Sequence, residues 1–206
     1  MATLTEDLAS QLQGAPVQQV AQQLGIDPAQ ASSAIGAALP LLMGALGRNA
    51  SQPQGAQALF GALQNDHAGL DIGSVLGAVL GGAQGRQADG AGILGHIFGG
   101  QQDRAQAGVA QAAGLGSGQA GQLLKILAPI VMAYLAKRMF DQRQGGAQAA
   151  SPDVLSGILG QEHQQITRQG GLGGGLLGAV LDQDGDGQLG IGDLMKIGGG
   201  LLGGRS

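Results

Sequence analysis

The sequence predicts an all-α, internally duplicated protein, and three observations carry that prediction. Helix signals recur along the chain, with Thr, Asp or Pro opening apolar-periodic runs and Gly closing them. Residues of the two halves match at a constant offset of 89 positions, 25 with 114 and 40 with 129. The 206 residues include no Trp, one Tyr and three Phe, so the core must be made of Leu, Ile, Val, Ala and Met with backbones in close approach.

Taken in order, Thr3 to Gln13 reads as a first helix. Thr3 or Thr5 caps it, Glu6 and Asp7 suit its first turn, and Gly14 ends it. Leu4, Leu8 and Leu12 form one apolar stripe that should dock on the body. Pro16 to Leu24 is a second helix closed by Gly25. Asp27 then serves as N-cap and Pro28 as first residue of a third helix reaching Leu39, where Pro40 either bends it or starts a new one through Leu46. Two helices and a tight Gly turn make a helix-turn-helix outline. Its candidate reading helix, Ala29 to Ala38, carries no Arg or Lys and offers base edges only Gln30, Ser32 and Ser33. Packing geometry is the preferred reading, and a nucleic-acid-binding module is the alternative.

The same plan returns downstream. Gly25-Ile26 and Pro40 to Met43 match Gly114-Leu115 and Pro129 to Met132, and Arg48 matches Lys137. Further on, Leu59, Leu63, Asp66 and His67 match Leu155, Leu159, Glu162 and His163, with 67 falling on 163. Leu76 to Leu80 then matches Leu177 to Leu181. The order survives two insertions, which is the signature of a duplication. The expected division is an N-terminal helix over 1–14, repeat 1 over 15–103 and repeat 2 over 104–206. Each repeat should contain a short helix, a turn, a Pro-bent apolar helix, a helix ending in Asp/Glu-His, a Leu-Gly-Ala-Val-Leu segment, and a Gly/Asp turn with an apolar tail. Polar stretches at 48–55, 100–106, 141–152 and 169–175 read as linkers. Neither half has large core residues, so the two should fold as one unit.

The most chemically specific stretch is 182–193. Asp182, Asp184, Asp186 and Asp193 stand at positions 1, 3, 5 and 12 of a twelve-residue, EF-hand-like loop, with Gly187 at the sharp turn and Gln188 offering its backbone carbonyl. These oxygens suit Ca2+, a hard cation that takes six to eight of them. Asp193 is one methylene shorter than the usual Glu. The counterpart in repeat 1, Gly81 to Gly90, keeps one carboxylate, Asp89, and no ion is expected there.

Other chemistry finds little support. His67 and His163 read as polar helix ends, and His96 as a partly buried helical residue. No nucleophile elbow or phosphate loop occurs, so no enzyme is expected and there is no catalytic residue to name. The net charge is −4 with ten Lys and Arg, which disfavours phosphate-dominated nucleic-acid binding. The absence of Cys excludes disulfides and thiolate sites. Gly77 and Gly81 form a small-residue pair suited to close helix approach. The longest apolar run, Leu123 to Ala136, is short of the ~20 residues of a membrane span. Met1 to Asp7 is acidic and unlike a signal peptide. The cytoplasm is the default location, and export without a cleaved signal is compatible with the same residues.

Pro40 to Asn49, Asp89 to Gly100, Leu127 to Met132 and Leu181 to Gly187 together resemble the bacterial DUF937 family. The resemblance covers nearly the whole chain. It implies an all-helical bacterial protein, distantly related to the YidB-like group, with a homeodomain-like outline and no established activity. The expected function is a non-enzymatic calcium-binding structural module whose partner is a second copy of itself, with calcium ordering the apolar tail from Leu194 to Gly204.

Overall fold

The structure, a computed structural model, describes residues 3–82, 85, 88–140 and 150–169. These residues form α1 (Leu4–Gln11), α2 (Ala15–Leu24), α3 (Pro28–Ala50), α4 (Pro53–Ala62) continued by a π-turn (Leu63–His67), α5 (Ile72–Leu80) and α6 (Gly90–Phe98). A 3-10 turn (Gly99–Gln101) leads into α7 (Gln102–Ala113), followed by α8 (Ser117–Phe140) and α9 (Pro152–Gln169). No strand occurs among the described residues, and the protein is all-α as its sequence predicts.

The local signals work as chemistry requires. Thr3 and Glu6 form a reciprocal capping box at the start of α1. Leu4, Leu8 and Leu12 are all buried, so the predicted stripe is the docking face. Burial of each such Leu contributes roughly 1.5–3 kcal/mol. Gly25 and Gly114 close α2 and α7 in the left-handed conformation (φ 65° and 64°). Each is followed by the same closing bond, Ile26 N–H to Ala21 O at 3.0 Å and Leu115 N–H to Ala110 O at 2.9 Å. The positions matched at offset 89 therefore share this local geometry.

Those two helix ends are also tied across the chain. Gln30 Nε2 donates to the Gly114 carbonyl at 3.0 Å, and Gln119 Nε2 donates to the Leu24 carbonyl at 3.1 Å. Gln30 and Gln119 are themselves 89 apart. Each glutamine sits in the first turn of one long helix and satisfies a carbonyl left over at the end of the other half's short helix.

Pro40 does not divide its helix: α3 runs unbroken through it, as α8 does through Pro129. Both prolines remove one backbone hydrogen bond. At Pro129 the deprived carbonyl belongs to Lys125. Gly90, the first residue of α6, lies directly against that oxygen, where a Cβ would overlap it. The α6 N-terminus thus brings its positive end to a carbonyl that lacks its own helical donor. A second close approach occurs at Gly47 on α3, where an added Cβ would stand 2.9 Å from the Leu159 carbonyl and 3.0 Å from His163 Cβ of α9.

The core lies around α3 and α8. α9, from the second half, packs along α3, while α5, α6 and the π-turn, from the first half, pack along α8. α3 is long and apolar enough to cross a membrane, and 67% of its most apolar window is buried within this helical body.

Several expectations need correction. The polar stretch 48–55 is not a linker, because α3 continues to Ala50 and α4 starts at Pro53. Nor is 100–106 a linker: α7 begins at Gln102 and buries Ala105, so the expected boundary at 103/104 falls inside a helix. Polarity misleads here because surface helix turns are as polar as linkers. α9 does not end at Glu162-His163 but continues to Gln169. Among the described residues no helix packs against Gly77 or Gly81: an added Cβ at the exposed Gly77 would meet nothing within 4 Å, and one at Gly81 only its own helix. The stretch 141–149 and everything from 170 onward, including Leu177 to Leu181, lie outside the described residues.

Gly90→Ala should lower stability by about 1–3 kcal/mol through overpacking against the α8 backbone. Gly95→Ala on the same helix meets nothing within 4 Å, and should be neutral or stabilising by up to ~1 kcal/mol. Denaturant midpoints of the two variants check this contrast.

Candidate functional site

The five residues expected to ligate calcium, Asp182, Asp184, Asp186, Gln188 and Asp193, lie outside the described residues. Their donor chemistry is that of the sequence: four carboxylates and one carbonyl, a set that fits a hard divalent cation. The first-half stretch expected to correspond to this loop, Gly81 to Gly90, lies partly within the described residues. Asp89 is the N-cap of α6, and its Oδ1 accepts from Gly92 N–H at 2.9 Å. The Asp89 carboxylate is thus engaged in starting a helix. Among the described residues no three His, Asp or Glu side chains form a group suited to a metal ion, and neither His67 nor His163 belongs to one.

The Asp/Glu-His pairs are nevertheless structurally central. Over residues 152–166 of α9, the buried positions are Leu155, Leu159, Glu162 and Ile166, spaced four, three and four apart. Glu162 therefore occupies an apolar-stripe position and is only 5% exposed. Its carboxylate is not left bare. It accepts from Leu4 N–H at 3.0 Å and Thr5 N–H at 2.9 Å, and from the Thr5 hydroxyl. These are N–H groups of the first turn of α1, which no helical carbonyl reaches. A buried anion at a helix N-terminus gains both charge-assisted hydrogen bonds and the favourable end of the helix dipole. One side chain near the C-terminal end of the described fold thereby fixes its first helix.

A second polar tie holds α1 to α8. Tyr134 donates its hydroxyl to Asp7 Oδ2 at 2.7 Å. Burial, together with the Asp7 carboxylate that accepts this proton, pushes the Tyr134 hydroxyl well above the usual tyrosine value. The sequence reading assigned no role to either contact. The available signal was Glu162 falling in register with Leu155, Leu159 and Ile166.

In the matching segment of the first half, the buried residue is the histidine. The π-turn over 63–67 adds a residue to the turn. The buried face therefore passes from Leu59 and Leu63 to His67, and Asp66 is left half-exposed. His67 is 2% exposed, and its Nδ1 has no hydrogen-bond partner among the described residues. Burial pushes its imidazole below the usual histidine value, against the opposing pull of Asp66. His67 is thus more than a polar helix end. His96 departs from expectation in the other direction: it is exposed, with Nδ1 2.8 Å from the Gly92 carbonyl. Its own carbonyl accepts from Asn49 Nδ2 at 3.0 Å, joining α6 to α3.

The helix-turn-helix outline exists as α2, Gly25 and the start of α3. Of the three side chains available for base edges, Gln30 is engaged with Gly114, and the Ser33 hydroxyl donates to Ala29 O at 3.1 Å. Ser32 is exposed.

The class these features define is an all-helical protein with polar ties between its two halves. The sequence model of the family described as "Bacterial protein of unknown function (DUF937)" matches residues 6–138, and the chain belongs to that family. No curated protein and no solved structure gave a significant match.

Glu162→Ala should cost about 2–4 kcal/mol, since it leaves two buried N–H groups of α1 without an acceptor. Hydrogen exchange at Leu4 and Thr5 should rise with it. His67 gives a pH signature. A folded-state value below the unfolded one means the unfolded chain binds more protons as pH falls. The neutral-His67 contribution is fully present above the unfolded value near 6.5 and is lost as pH falls from there toward the lower folded value. His67→Gln should flatten that part of the stability–pH curve, measured by denaturant unfolding between pH 7.5 and 5.

Proposed function

We propose that this protein is a non-enzymatic calcium-binding structural module, built from two related helical repeats, that assembles with copies of itself. The observation that carries the reading is the spacing of Asp182, Asp184, Asp186 and Asp193 around Gly187. Four carboxylates so close repel one another, and a bound divalent cation relieves that repulsion while drawing the loop around itself. Calcium would then order the apolar segment from Leu194 to Gly204, which follows the loop directly, against the body or a neighbouring copy. The commitment of Asp89 to capping α6 supports assigning ion binding to the second half alone.

The nucleic-acid reading is less favoured. Gln30 and Ser33 already have partners within the fold, and the start of α3 carries no cation. Base readout needs free polar groups supported by cationic phosphate contacts.

Calorimetric titration should show one calcium bound per chain, with Asp184→Ala weakening affinity by roughly an order of magnitude or more. Light scattering should report a larger particle in calcium than in chelator. No heat from the unmodified chain would remove the calcium assignment, and an unchanged monomer in both conditions would remove the assembly assignment.

A further inference from the structure

The prolines inside the two long helices have different surroundings. Pro129 is buried, and the Lys125 carbonyl that it deprives of a donor is covered by Gly90 at the start of α6. Pro40 and Gly36 are the positions matched to Pro129 and Lys125 at offset 89. Pro40 deprives the Gly36 carbonyl of its helical donor in the same way. Yet Gly36 is exposed and Pro40 half-exposed, and no described glycine stands against the Gly36 carbonyl as Gly90 does against that of Lys125. Ser32 and Ser33 extend this open strip of α3 by one turn. Among the described residues, α3 therefore lacks at Pro40 the cover that α8 has at Pro129.

The chain after α9 contains a segment of matching pattern. Residues 90–100, which are α6 and the turn after it, match residues 190–200 at a constant offset of 100. Gly90, Leu94 and Ile97 recur as Gly190, Leu194 and Ile197, and three further glycines also recur. Glycine matches weigh little in a chain with 42 of them, so the two apolar matches carry more. Leu94 is fully buried, and Ile97 packs half-buried against the core. The recurring apolar residues are thus ones through which α6 docks. Gly198 replaces the buried Phe98, which makes the second contact smaller. Reach is no obstacle. α9 already lies along α3, and the 20 residues between Gln169 and Gly190 can span up to ~70 Å when extended.

We propose that residues 190–198 dock on α3 of their own chain as α6 docks on α8, with Gly190 against the Gly36 carbonyl. The start of this segment brings backbone N–H groups, which no helical carbonyl reaches, to a carbonyl that Pro40 leaves without a donor. Leu194 and Ile197 turn toward the body, in register with Leu94 and Ile97. The proposal rests on the duplication and narrows the reading of the apolar tail to one face of its own chain. It does not require calcium, although an ion held over 182–193 would favour docking by fixing the start of the segment.

The chain has no Cys, so an engineered thiol pair is unambiguous. Ser33→Cys and Ile191→Cys flank the proposed contact, and the positions matched to them, Gln122 and Ala91, are both exposed beside the Lys125–Gly90 approach. A short bifunctional thiol reagent is applied to the dilute full chain in calcium and in chelator, and the products are sized and mapped by mass spectrometry. An intrachain link between positions 33 and 191 is expected. Adding Gly190→Val, which puts side-chain atoms where α6 has none, should slow that link on the order of tenfold. A link in both conditions means docking without the ion, and a link in calcium alone means docking coupled to it; both support the proposal. No intrachain link in either condition, a link only between chains, or a rate unaffected by Gly190→Val would overturn it. Calcium titration of the same pair, before the reagent is added, tests the ion separately, so its failure and the failure of docking are read independently.

Discussion

Two long helices, α3 and α8, are enclosed on most sides, and the remaining helices are arranged to cover them. A chain with so few aromatics has little large side-chain surface to bury per residue. It compensates by burying whole helices in Ala, Leu, Ile and Met, with glycine at the tightest approaches. Gly47 lets α9 approach α3, and Gly90 lets α6 reach a carbonyl that Pro129 has deprived of its helical partner. The coverage is crossed: α9 of the second half lies on α3, and α5 and α6 of the first half lie on α8. Neither half keeps its long helix covered without the other.

Polar contacts fix this arrangement where apolar packing alone would allow sliding. Gln30 and Gln119 each close a helix end belonging to the other half. Glu162 replaces an apolar residue on the buried face of α9 and orients α1 through two backbone N–H groups and a hydroxyl. A buried charge such as Glu162 makes displaced packing costly, because it would leave the carboxylate or its donors unsatisfied. In the matching part of the first half, a π-turn brings His67 rather than Asp66 to the buried face. The two segments thus bury different members of an acid–histidine pair, Glu162 in one and His67 in the other.

Much of the fold was legible in the sequence because caps, stripes and breakers act locally. The Thr3 cap, the leucine stripe of α1, the Gly25 and Gly114 stops and the Asp27-Pro28 start all lie where local chemistry puts them. The failures have tertiary causes. A proline inside a well-buried helix is tolerated because packing on its flanks outweighs one missing hydrogen bond. Polar turns at 48–55 and 100–106 look like linkers when only one face of a helix is apolar. The partners of Glu162 lie more than 150 residues away and so leave no trace in local pattern. Of the candidate sites, the acidic loop is read from spacing alone.

The central structural claim is that crossed coverage makes the halves a single cooperative unit. Native-state hydrogen exchange across increasing denaturant tests it directly. The buried amides of α3 and α8 should converge on one opening free energy and one denaturant dependence. Separate plateaus, with α3 opening while α8 stays protected or the reverse, would contradict the account.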